Sequence, residues 1–234
     1  MIPKIIHFCW FGMGEKPQIA KSCMESWERH LPEYELREWN EDNFDVTSNR
    51  YAKEAYESRL YAFVTDYVRL YALYNCGGIY MDTDVEVLRP LDRFLSHAAF
   101  SGFEDGVNVP TGIMGSEKGC QAVRDLMLHY EGKSFKKKNA SCDTTTNCAA
   151  VTGYFLKHGL VQDNTLQTVN GMTFYPREFF CPKNLKSTTT NVTEDTYVIH
   201  HFAGSWLPVW KKRRAEVRKK IRLFLAGIFG PESL

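Results

Sequence analysis

The fold is decided by residues 61–91, which read YAFVTDYVRLYALYNCGGIYMDTDVEVLRPL. Across residues 62–75 the apolar side chains recur at helical spacing, and the Gly77-Gly78 pair supplies the left-handed conformation with which helices often end. Residues 79–88 alternate in polarity and stop at Arg89-Pro90, which predicts a strand. The stretch therefore predicts a helix that leads directly into a strand.

The chain on either side repeats this alternation. Further strands are predicted at residues 4–10, 33–39, 98–102 and 112–116, and further helices at 17–30, 120–130 and 149–158. Alternating strands and helices indicate an α/β fold in which a mostly parallel, mixed sheet is flanked by helices. Residues 131–147, which are rich in Lys, Ser, Thr and Asn, are predicted to form a long polar loop.

Composition and cysteine usage restrict the class of protein. A chain of 234 residues, 44% hydrophobic and 24% charged, suits one globular domain and argues against disorder or a small disulfide scaffold. The seven cysteines are an odd number without a C-x-x-C pair, which fits neither a secreted framework nor a structural zinc site. No apolar stretch is long enough to span a bilayer. The cysteine usage, together with an amino-terminal segment that lacks the pattern of a signal peptide, indicates a reducing environment, so a cytoplasmic location is expected.

The charge is unevenly distributed, although the formal net charge is only +1. Residues 211–222, KKRRAEVRKKIR, contain eight basic groups and one acid, and apolar residues recur on one helical face through 217–228. Residues 207–234 are therefore predicted to form a basic amphipathic helix, which either contacts an anionic membrane through 211–229 or packs on the core. Nucleic-acid binding is disfavoured because no stacking aromatics are interleaved with the basic residues.

Asp82-Thr83-Asp84 is the first candidate site. On a strand both carboxylates would project to the same face, about 6.6 Å apart, a span that one hydrated divalent ion can bridge. The pair follows an apolar stretch, and ligand sites of α/β proteins lie beyond the carboxyl ends of strands. Mn²⁺ or Mg²⁺ carrying a diphosphate would fit there, and a solvated strand edge is the alternative.

Other polar and aromatic residues allow two interpretations each. Asp66 and Arg69 are three residues apart on a helix and form either a simple salt bridge or an acceptor beside a donor for sugar hydroxyls. Trp10, at the end of the first strand, is either a flat wall for a nucleobase or part of the core. A histidine in the strand predicted at residues 197–201 is either a metal or phosphate ligand or a structural residue.

Four blocks of sequence, taken together, resemble the D-x-D sugar transferases of glycosyltransferase family 32. They are IPKIIHFCWFG (2–12), SWERHLPEYELREWNEDNFD (26–45), residues 61–91 and VIHHFAGSW (198–206). This family includes bacterial capsular-polysaccharide and lipopolysaccharide enzymes related to fungal mannosyltransferases. The resemblance implies a GT-A fold over residues 1–206, a nucleotide-sugar donor, a divalent metal and retention of anomeric configuration.

The resemblance also implies roles in binding the donor. The backbone of Cys9 and the ring of Trp10 would hold the base, with Trp10 stacking on it. Asp66 and Arg69 would bind hydroxyl groups of the donor sugar, and Tyr80 would lie beside the donor.

Further roles concern the metal. Asp82 would contact the ribose and reach the metal through water, and Asp84 would ligate the metal directly. His201 would complete the metal shell, although the adjacent His200, which is also expected at the donor, leaves the choice between the two histidines open.

Ser205 and Trp206 would hydrogen-bond the departing diphosphate, and Trp206 joins Asp66, Arg69 and Asp84 as an expected catalytic residue. Asn108, Thr111 and Asn147 are candidates for the acceptor side.

The expected activity is transfer of a hexosyl group, from a UDP-sugar first and GDP-mannose second. The acceptor is expected to be a saccharide or lipid-linked saccharide in bacterial surface polysaccharide synthesis. Two alternatives remain open on the residues alone: a non-catalytic protein that binds nucleotide sugars or glycans, and a D-x-D metal-dependent phosphohydrolase.

Overall fold

The structure is a computed structural model that describes residues 1–137, 141–184 and 189–204. Its strands are β1 (Ile5–Cys9), β2 (Glu35–Trp39), β3 (Gly78–Met81), β4 (Val85–Val87), β5 (Ala99–Gly102), β6 (Ile113–Ser116), β7 (Gln167–Val169), β8 (Met172–Tyr175) and β9 (Val198–His200). Its helices are α1 (Gln18–His30), α2 (Arg50–Glu57), α3 (Tyr61–Cys76), α4 (Gln121–Leu128), α5 (Asn147–Lys157) and α6 (Arg177–Phe180).

Seven strands form one sheet in the order β2-β1-β3-β6-β5-β8-β7. Strands β2, β1, β3, β5 and β8 run in the same direction, and β6 and β7 run against them. The predicted α/β fold with a mixed, mostly parallel sheet is therefore confirmed. Strands β4 and β9 pair with each other in a separate antiparallel ribbon.

Helix α3 packs along β1 and β3 and is buried on most of its surface. The helix ends at Gly77 (φ +69°), and Gly78 (φ +119°) begins β3 at once. A Cβ atom on Gly78 would lie 2.7 Å from the carbonyl oxygen of Ile5 and 3.0 Å from Nε2 of His7. Only glycine combines this backbone conformation with such a close approach to β1, so the glycine pair fixes where the strand after α3 enters the sheet.

The single strand predicted over residues 79–88 is wrong. Strand β3 ends at Met81 and β4 begins at Val85, so Asp82-Thr83-Asp84 occupies a turn in which the Val85 N–H donates to the Asp82 carbonyl oxygen (3.0 Å). The Asp82 N–H still donates to Gly112 O (2.8 Å), which continues the β3–β6 ladder by one bond. Beyond that bond the chain leaves the sheet, so a turn, and not the alternation of a strand, places the two carboxylates.

Helix α1 holds the segment that leaves the sheet. The Trp27 indole donates to the carbonyl oxygen of Val85 (2.7 Å), and the Val87 N–H donates to the Ser26 hydroxyl (2.9 Å). Trp27 is fully buried. Because α1 supplies these partners, β4 satisfies its backbone against α1 and β9 instead of continuing the main sheet.

Residues 1–201 form one compact unit, and the chain from Phe202 onwards belongs to a second, of which only 202–204 are described. The predicted basic helix, the boundary expected at residue 206, Ser205 and Trp206 all lie outside the described residues. Within the described ranges, no helix has the length and apolar character that a membrane span requires.

Candidate functional site

Asp82, Asp84 and His200 lie together at the carboxyl end of β3. Each offers one ligand atom, and these atoms all lie within 4.8 Å of one another. His200 Nε2 is 3.3 Å from Asp84 Oδ1 and 3.9 Å from Asp82 Oδ2. The β4–β9 ribbon creates this proximity because it pairs Val85, which follows Asp84, with His200.

The structure brings His200, and not His201, to the aspartates. His201 Nε2 instead lies 2.8 Å from Glu86 Oε2. His200 is the last residue of β9 and His201 follows it. Consecutive residues of an extended chain point to opposite sides, so the two histidines have different surroundings. This differs from the expectation that His201 would complete a metal shell.

The surroundings of His200 favour a positive charge, although the residue is only 8% exposed. Burial lowers the pKa of the imidazole, but its hydrogen bond to Asp84 and the charges of Asp84, Asp82 and Glu104 outweigh burial and hold that pKa above its usual 6.5. A position that attracts a proton in this way also attracts a cation. Two carboxylates and an imidazole are ligands that suit Mn²⁺, so this donor set fits a divalent ion.

Gly112, immediately before β6, leaves room for this cluster. A Cβ atom there would lie 2.7 Å from both Cε1 and Nδ1 of His200 and 3.3 Å from Asp82 Oδ2. Sequence reasoning missed this residue because nothing local distinguishes it from other glycines. Its importance comes from its contact with His200, which lies 88 residues later in the chain.

Arg69 connects the cluster to Asp66. Arg69 is 4% exposed, and its Nη1 lies 3.3 Å from Asp82 Oδ1 and its Nη2 lies 3.3 Å from Asp66 Oδ1. Arg69 also donates to the carbonyl oxygens of Thr65 and Thr111. The i,i+3 salt bridge that the sequence allowed is thus present, and it lies inside the candidate site.

Asp66 has an unusual protonation equilibrium for a carboxylic acid. The residue is 7% exposed, and burial raises its pKa to about 7 despite the opposing charge of Arg69. Near neutral pH the Asp66 carboxyl group can therefore be present in either form. A protonated form could donate a hydrogen bond and a charged form could accept one.

Tyr80 contacts both Asp82 and Arg69. Its hydroxyl donates to Asp82 Oδ1 (2.9 Å), and the Arg69 guanidinium lies 4.6 Å from the centre of its ring. The ring is 1% exposed, and burial raises the pKa of the phenol well above 10. Tyr80 therefore stays protonated and holds the Asp82 carboxylate in place.

The end of β1 lies beside this group. Burial raises the pKa of the Cys9 thiol, which the charges of Arg69 and Asp82 also reach. The Trp10 indole donates to Gly14 O (2.6 Å), its ring is partly exposed, and Lys16 Nζ lies 5.7 Å from the ring. Trp10 is thus available as a partly exposed aromatic surface at the end of the sheet where the aspartates lie.

Glu104 is an acidic residue that sequence reasoning missed. Burial raises the pKa of this carboxyl group, and the nearby charge of His200 acts in the opposite direction. The Cys148 thiol donates to Glu104 Oε2 (3.5 Å) and lies 3.8 Å from the Thr111 hydroxyl. Of the proposed acceptor-side residues, Asn108 is engaged in its own loop, where its amide donates to Asp105 (2.8 Å).

Comparison with a protein-family model gives a match over residues 17–101. The family is described as "Glycosyltransferase sugar-binding region containing DXD motif". The matched range contains α1, α3 and the Asp82–Asp84 turn. It stops before Gly112 and His200.

Two curated proteins are similar to the chain. Inositol phosphoceramide mannosyltransferase 3 of Schizosaccharomyces pombe is 34% identical over 137 residues, which are 53% of this chain and 37% of the yeast protein. An uncharacterized glycosyltransferase of Acanthamoeba polyphaga mimivirus is 23% identical over 237 residues, covering 96% of this chain and 92% of the viral protein. The match to the yeast protein thus spans little more than a third of its length.

One solved structure is similar over nearly the whole chain. It is a glycosyltransferase involved in the glycosylation of the major capsid of PBCV-1, with a TM-score of 0.50 and 11% identity. The alignment covers 93% of this chain and 100% of the other. This likeness shows that the chain has the GT-A fold.

Proposed function

We propose that this chain is a family 32-like glycosyltransferase that transfers a hexosyl group from a nucleotide sugar with the help of a divalent metal. A UDP-sugar is the first candidate donor and GDP-mannose the second. One observation carries the proposal: Asp82, Asp84 and His200 converge beside Arg69 and Asp66 at the carboxyl end of β3. A diphosphate and the sugar attached to it need these two kinds of partner side by side.

Asp82, Asp84 and His200 would hold Mn²⁺ or Mg²⁺. When bound, the ion supplies Lewis-acid stabilisation of the departing diphosphate, which is worth several kcal/mol in such sites. Tyr80 fixes one oxygen of Asp82 through its hydroxyl group, so the carboxylate is oriented before the donor arrives. The metal set proposed here contains His200 in place of His201 because His200 lies within reach of both aspartates.

Asp66 and Arg69 bind the hydroxyl groups of the donor sugar. Their side chains are buried and paired with each other, so they present an acceptor and a donor in a fixed geometry. Trp10 stacks on the base at the end of β1, beside the backbone of Cys9. Ser205 and Trp206, which follow β9 in sequence but lie outside the described residues, hydrogen-bond the leaving diphosphate in this proposal.

The acceptor is a saccharide or a lipid-linked saccharide, and the pathway is surface polysaccharide synthesis. The name of the yeast relative, a mannosyltransferase of inositol phosphoceramide, supports an acceptor attached to a lipid. The basic residues of 211–222 support a membrane location for the reaction. Retention of anomeric configuration is the stereochemical course that the family resemblance implies.

Hydrolysis of the donor without an acceptor tests the proposal. Wild-type protein is incubated with UDP-glucose, UDP-galactose or GDP-mannose, with and without Mn²⁺, and the released nucleotide is measured. We expect Mn²⁺-dependent hydrolysis of one donor and a loss of at least tenfold in Asp84→Asn. Asp92→Asn is the control, since Asp92 pairs with Lys4 (2.8 Å) near the start of β1 and should leave the rate unchanged. Equal rates in Asp84→Asn and wild type would contradict the proposal.

A further inference from the structure

The loop after β1, residues 10–14, has an unusual backbone conformation. Its first hydrogen bond continues the sheet, because the Trp10 N–H donates to the carbonyl oxygen of Trp39 in β2 (2.9 Å). The chain then turns sharply, and Gly12 (φ +95°) and Met13 (φ +55°) both have left-handed backbone conformations. Residues other than glycine rarely adopt such a conformation, so contacts from outside the loop must fix its shape.

Glu41, two residues beyond the end of β2, supplies one of these contacts. Its Oε1 accepts a hydrogen bond from the Gly12 N–H (2.6 Å) and a second one from the Tyr56 hydroxyl (3.0 Å). Hydrogen bonds to a carboxylate are stronger than those to a neutral acceptor. One carboxylate oxygen thus joins the loop after β1 to helix α2.

Tyr61, the first residue of α3, also packs against Gly12. A Cβ atom on Gly12 would lie 2.4 Å from Cε2 of the Tyr61 ring and 2.8 Å from its Cδ2. The rings of Tyr56 and Tyr61 are in contact, with 5.4 Å between their centroids. Helix α3 carries Asp66 and Arg69, so the loop is joined to the helix that we assign to the donor sugar.

The loop in turn fixes the Trp10 side chain. The indole N–H donates to the carbonyl oxygen of Gly14 (2.6 Å), which closes the segment across four residues. Lys16 Nζ lies 5.7 Å from the centre of the indole ring and 2.8 Å from Glu38 Oε2. The position of the ring therefore depends on the backbone path from Trp10 to Gly14, and Gly12 lies in the middle of that path.

We propose that Glu41 is a positioning residue for the nucleobase of the donor. It holds Gly12 in place before the nucleotide arrives, and so keeps the Trp10 ring in the orientation that stacks on the base. Binding to a loop that is already ordered loses less conformational entropy than binding to a mobile one. The inference rests on the proposed function, because it assumes that Trp10 contacts the base.

This role makes the effect of Glu41 depend on the base. Without its carboxylate the loop would sample other conformations, and the apparent affinity for a nucleotide would fall with the fraction of protein that is competent to bind. The metal and the diphosphate are assigned to the end of β3, away from this contact. Affinity for pyrophosphate, which has no base, should therefore not depend on Glu41.

Calorimetric titration of UDP, GDP and inorganic pyrophosphate, each in the presence of Mn²⁺, tests the inference. We expect Glu41→Ala to weaken binding of the preferred nucleotide at least tenfold and binding of pyrophosphate less than twofold. Glu41→Gln, whose amide oxygen can still accept from the Gly12 N–H, should stay within threefold of the wild type. Glu57→Ala is the matched control, since Glu57 on α2 pairs with Lys136 (3.2 Å) and should leave both affinities unchanged.

A double-mutant cycle with Trp10→Ala separates positioning from direct contact with the nucleotide. Because Glu41 acts through Trp10 in this proposal, introducing Glu41→Ala into the Trp10→Ala protein should change nucleotide affinity less than twofold.

Gly12→Ala is a second probe, which leaves Glu41 intact. Its Cβ atom would meet the Tyr61 ring and displace the loop, so the variant should reproduce the loss of nucleotide affinity and keep the affinity for pyrophosphate. Gly119→Ala is the control for backbone strain, because Gly119 also has positive φ (+73°) but a Cβ atom there would meet nothing within 4 Å. This control should keep both wild-type affinities.

The inference is wrong if Trp10→Ala loses nucleotide affinity while Glu41→Ala and Gly12→Ala do not. It is also wrong if Glu41→Ala weakens binding of the nucleotide and of pyrophosphate equally, or has the same effect with and without Trp10. Wild type that binds no nucleotide, or Trp10→Ala that binds it as tightly as the wild type, would instead refute the base site of the proposed function.

Discussion

At position 112 a single methyl group would reach two of the three residues that we assign to the metal. The hydrogen atom of Gly112 leaves space for the edge of the His200 ring, and a Cβ atom there would lie 2.7 Å from that ring. The nearest atoms belong to a ring that is itself buried, so His200 has little freedom to move aside. The metal binding that we propose for this cluster therefore requires that residue 112 have no side chain.

We expect Gly112→Ala to lower the rate of Mn²⁺-dependent donor hydrolysis at least tenfold, because the displaced imidazole no longer faces both aspartates. Gly153→Ala is the matched control. A Cβ atom at Gly153, inside α5, would meet no other atom within 4 Å, so this variant should keep full activity and gain up to about 1 kcal/mol of stability. Equal activities of the two variants would show that position 112 has no influence on the cluster.

His7 should make stability depend on pH. The residue is fully buried, accepts a hydrogen bond from the Trp39 indole at Nδ1 (3.1 Å) and donates from Nε2 to Gly77 O (2.8 Å), so its ring is neutral. Burial lowers its pKa from the usual 6.5 to about 4. Between these two values the unfolded chain binds a proton that the folded chain does not, so stability falls as the pH falls from 6.5 towards 4.

We expect the wild type to lose about 3 kcal/mol more unfolding free energy than His7→Gln between pH 7.5 and pH 4. Denaturant unfolding at several pH values measures the difference, in which the contributions of the other titrating groups cancel. His7→Gln should be the less stable protein at pH 7.5. If unfolding free energy depended on pH in the same way in both proteins, His7 would bind a proton as readily in the folded chain as in the unfolded chain.

Among the elements, the β4–β9 ribbon determines which histidine lies beside the two aspartates. Strand β9 pairs Val85 with His200 and Glu86 with Ile199, and this register directs His200 towards Asp82 and Asp84. The sequence shows two adjacent histidines in a strand, and alternation requires that they face opposite sides. The choice between them depends on the pairing partner of β9, which is 113 residues earlier in the chain and leaves no local signal.

The β4–β9 register can be tested by comparing variants of His200 and His201. We expect His200→Ala to weaken Mn²⁺ binding at least tenfold, and His201→Ala, which loses its contact with Glu86, to change it less than twofold. Calorimetric titration of Mn²⁺ into each variant in the presence of UDP measures both. The opposite ranking would restore His201 as the ligand.

Local sequence patterns predict some of the other elements and not the rest. Strong periodicity and the Gly77-Gly78 pair are local signals, so the sequence predicts the β1, α1, β2 and α3 segments. The alternating polarity of residues 79–88 predicts one strand, but Trp27 and Ser26 bind the backbone of β4 outside the main sheet, and the D-x-D segment forms the turn that leads to it. The β7–β8 hairpin was missed although Asn170 and Gly171 both have positive φ and Asn-Gly is a strong turn signal, because its strands are only three and four residues long.

At the scale of the whole molecule, the site is assembled from segments far apart in sequence. Arg69 on α3, the Asp82–Asp84 turn and His200 on β9 meet at one edge of the sheet. Sequence reasoning found most of these residues because the family resemblance joined blocks that local patterns cannot connect. Gly112 and Glu104 lie between the recognised blocks, so only the folded chain could reveal them.

Basic and acidic residues are unevenly distributed along the whole chain. Residues 211–222 contain eight basic groups, and the rest of the chain is net acidic. We expect removal of 207–234 to reduce binding to vesicles that contain anionic lipid at least tenfold at low salt, and to leave the weak binding to neutral vesicles unchanged. Co-sedimentation at two salt concentrations measures this, and unchanged binding to anionic vesicles would exclude the segment as the membrane contact.

We propose above that Asp82, Asp84 and His200 together bind the cation that carries the donor diphosphate. Crystals grown with Mn²⁺ and UDP, with anomalous diffraction recorded above and below the manganese absorption edge, test it most directly. We expect one manganese peak in contact with the side chains of Asp84 and His200, beside Asp82 and against the diphosphate. A bound UDP whose diphosphate lies away from these three residues, or a manganese peak elsewhere with none at this cluster, would contradict it.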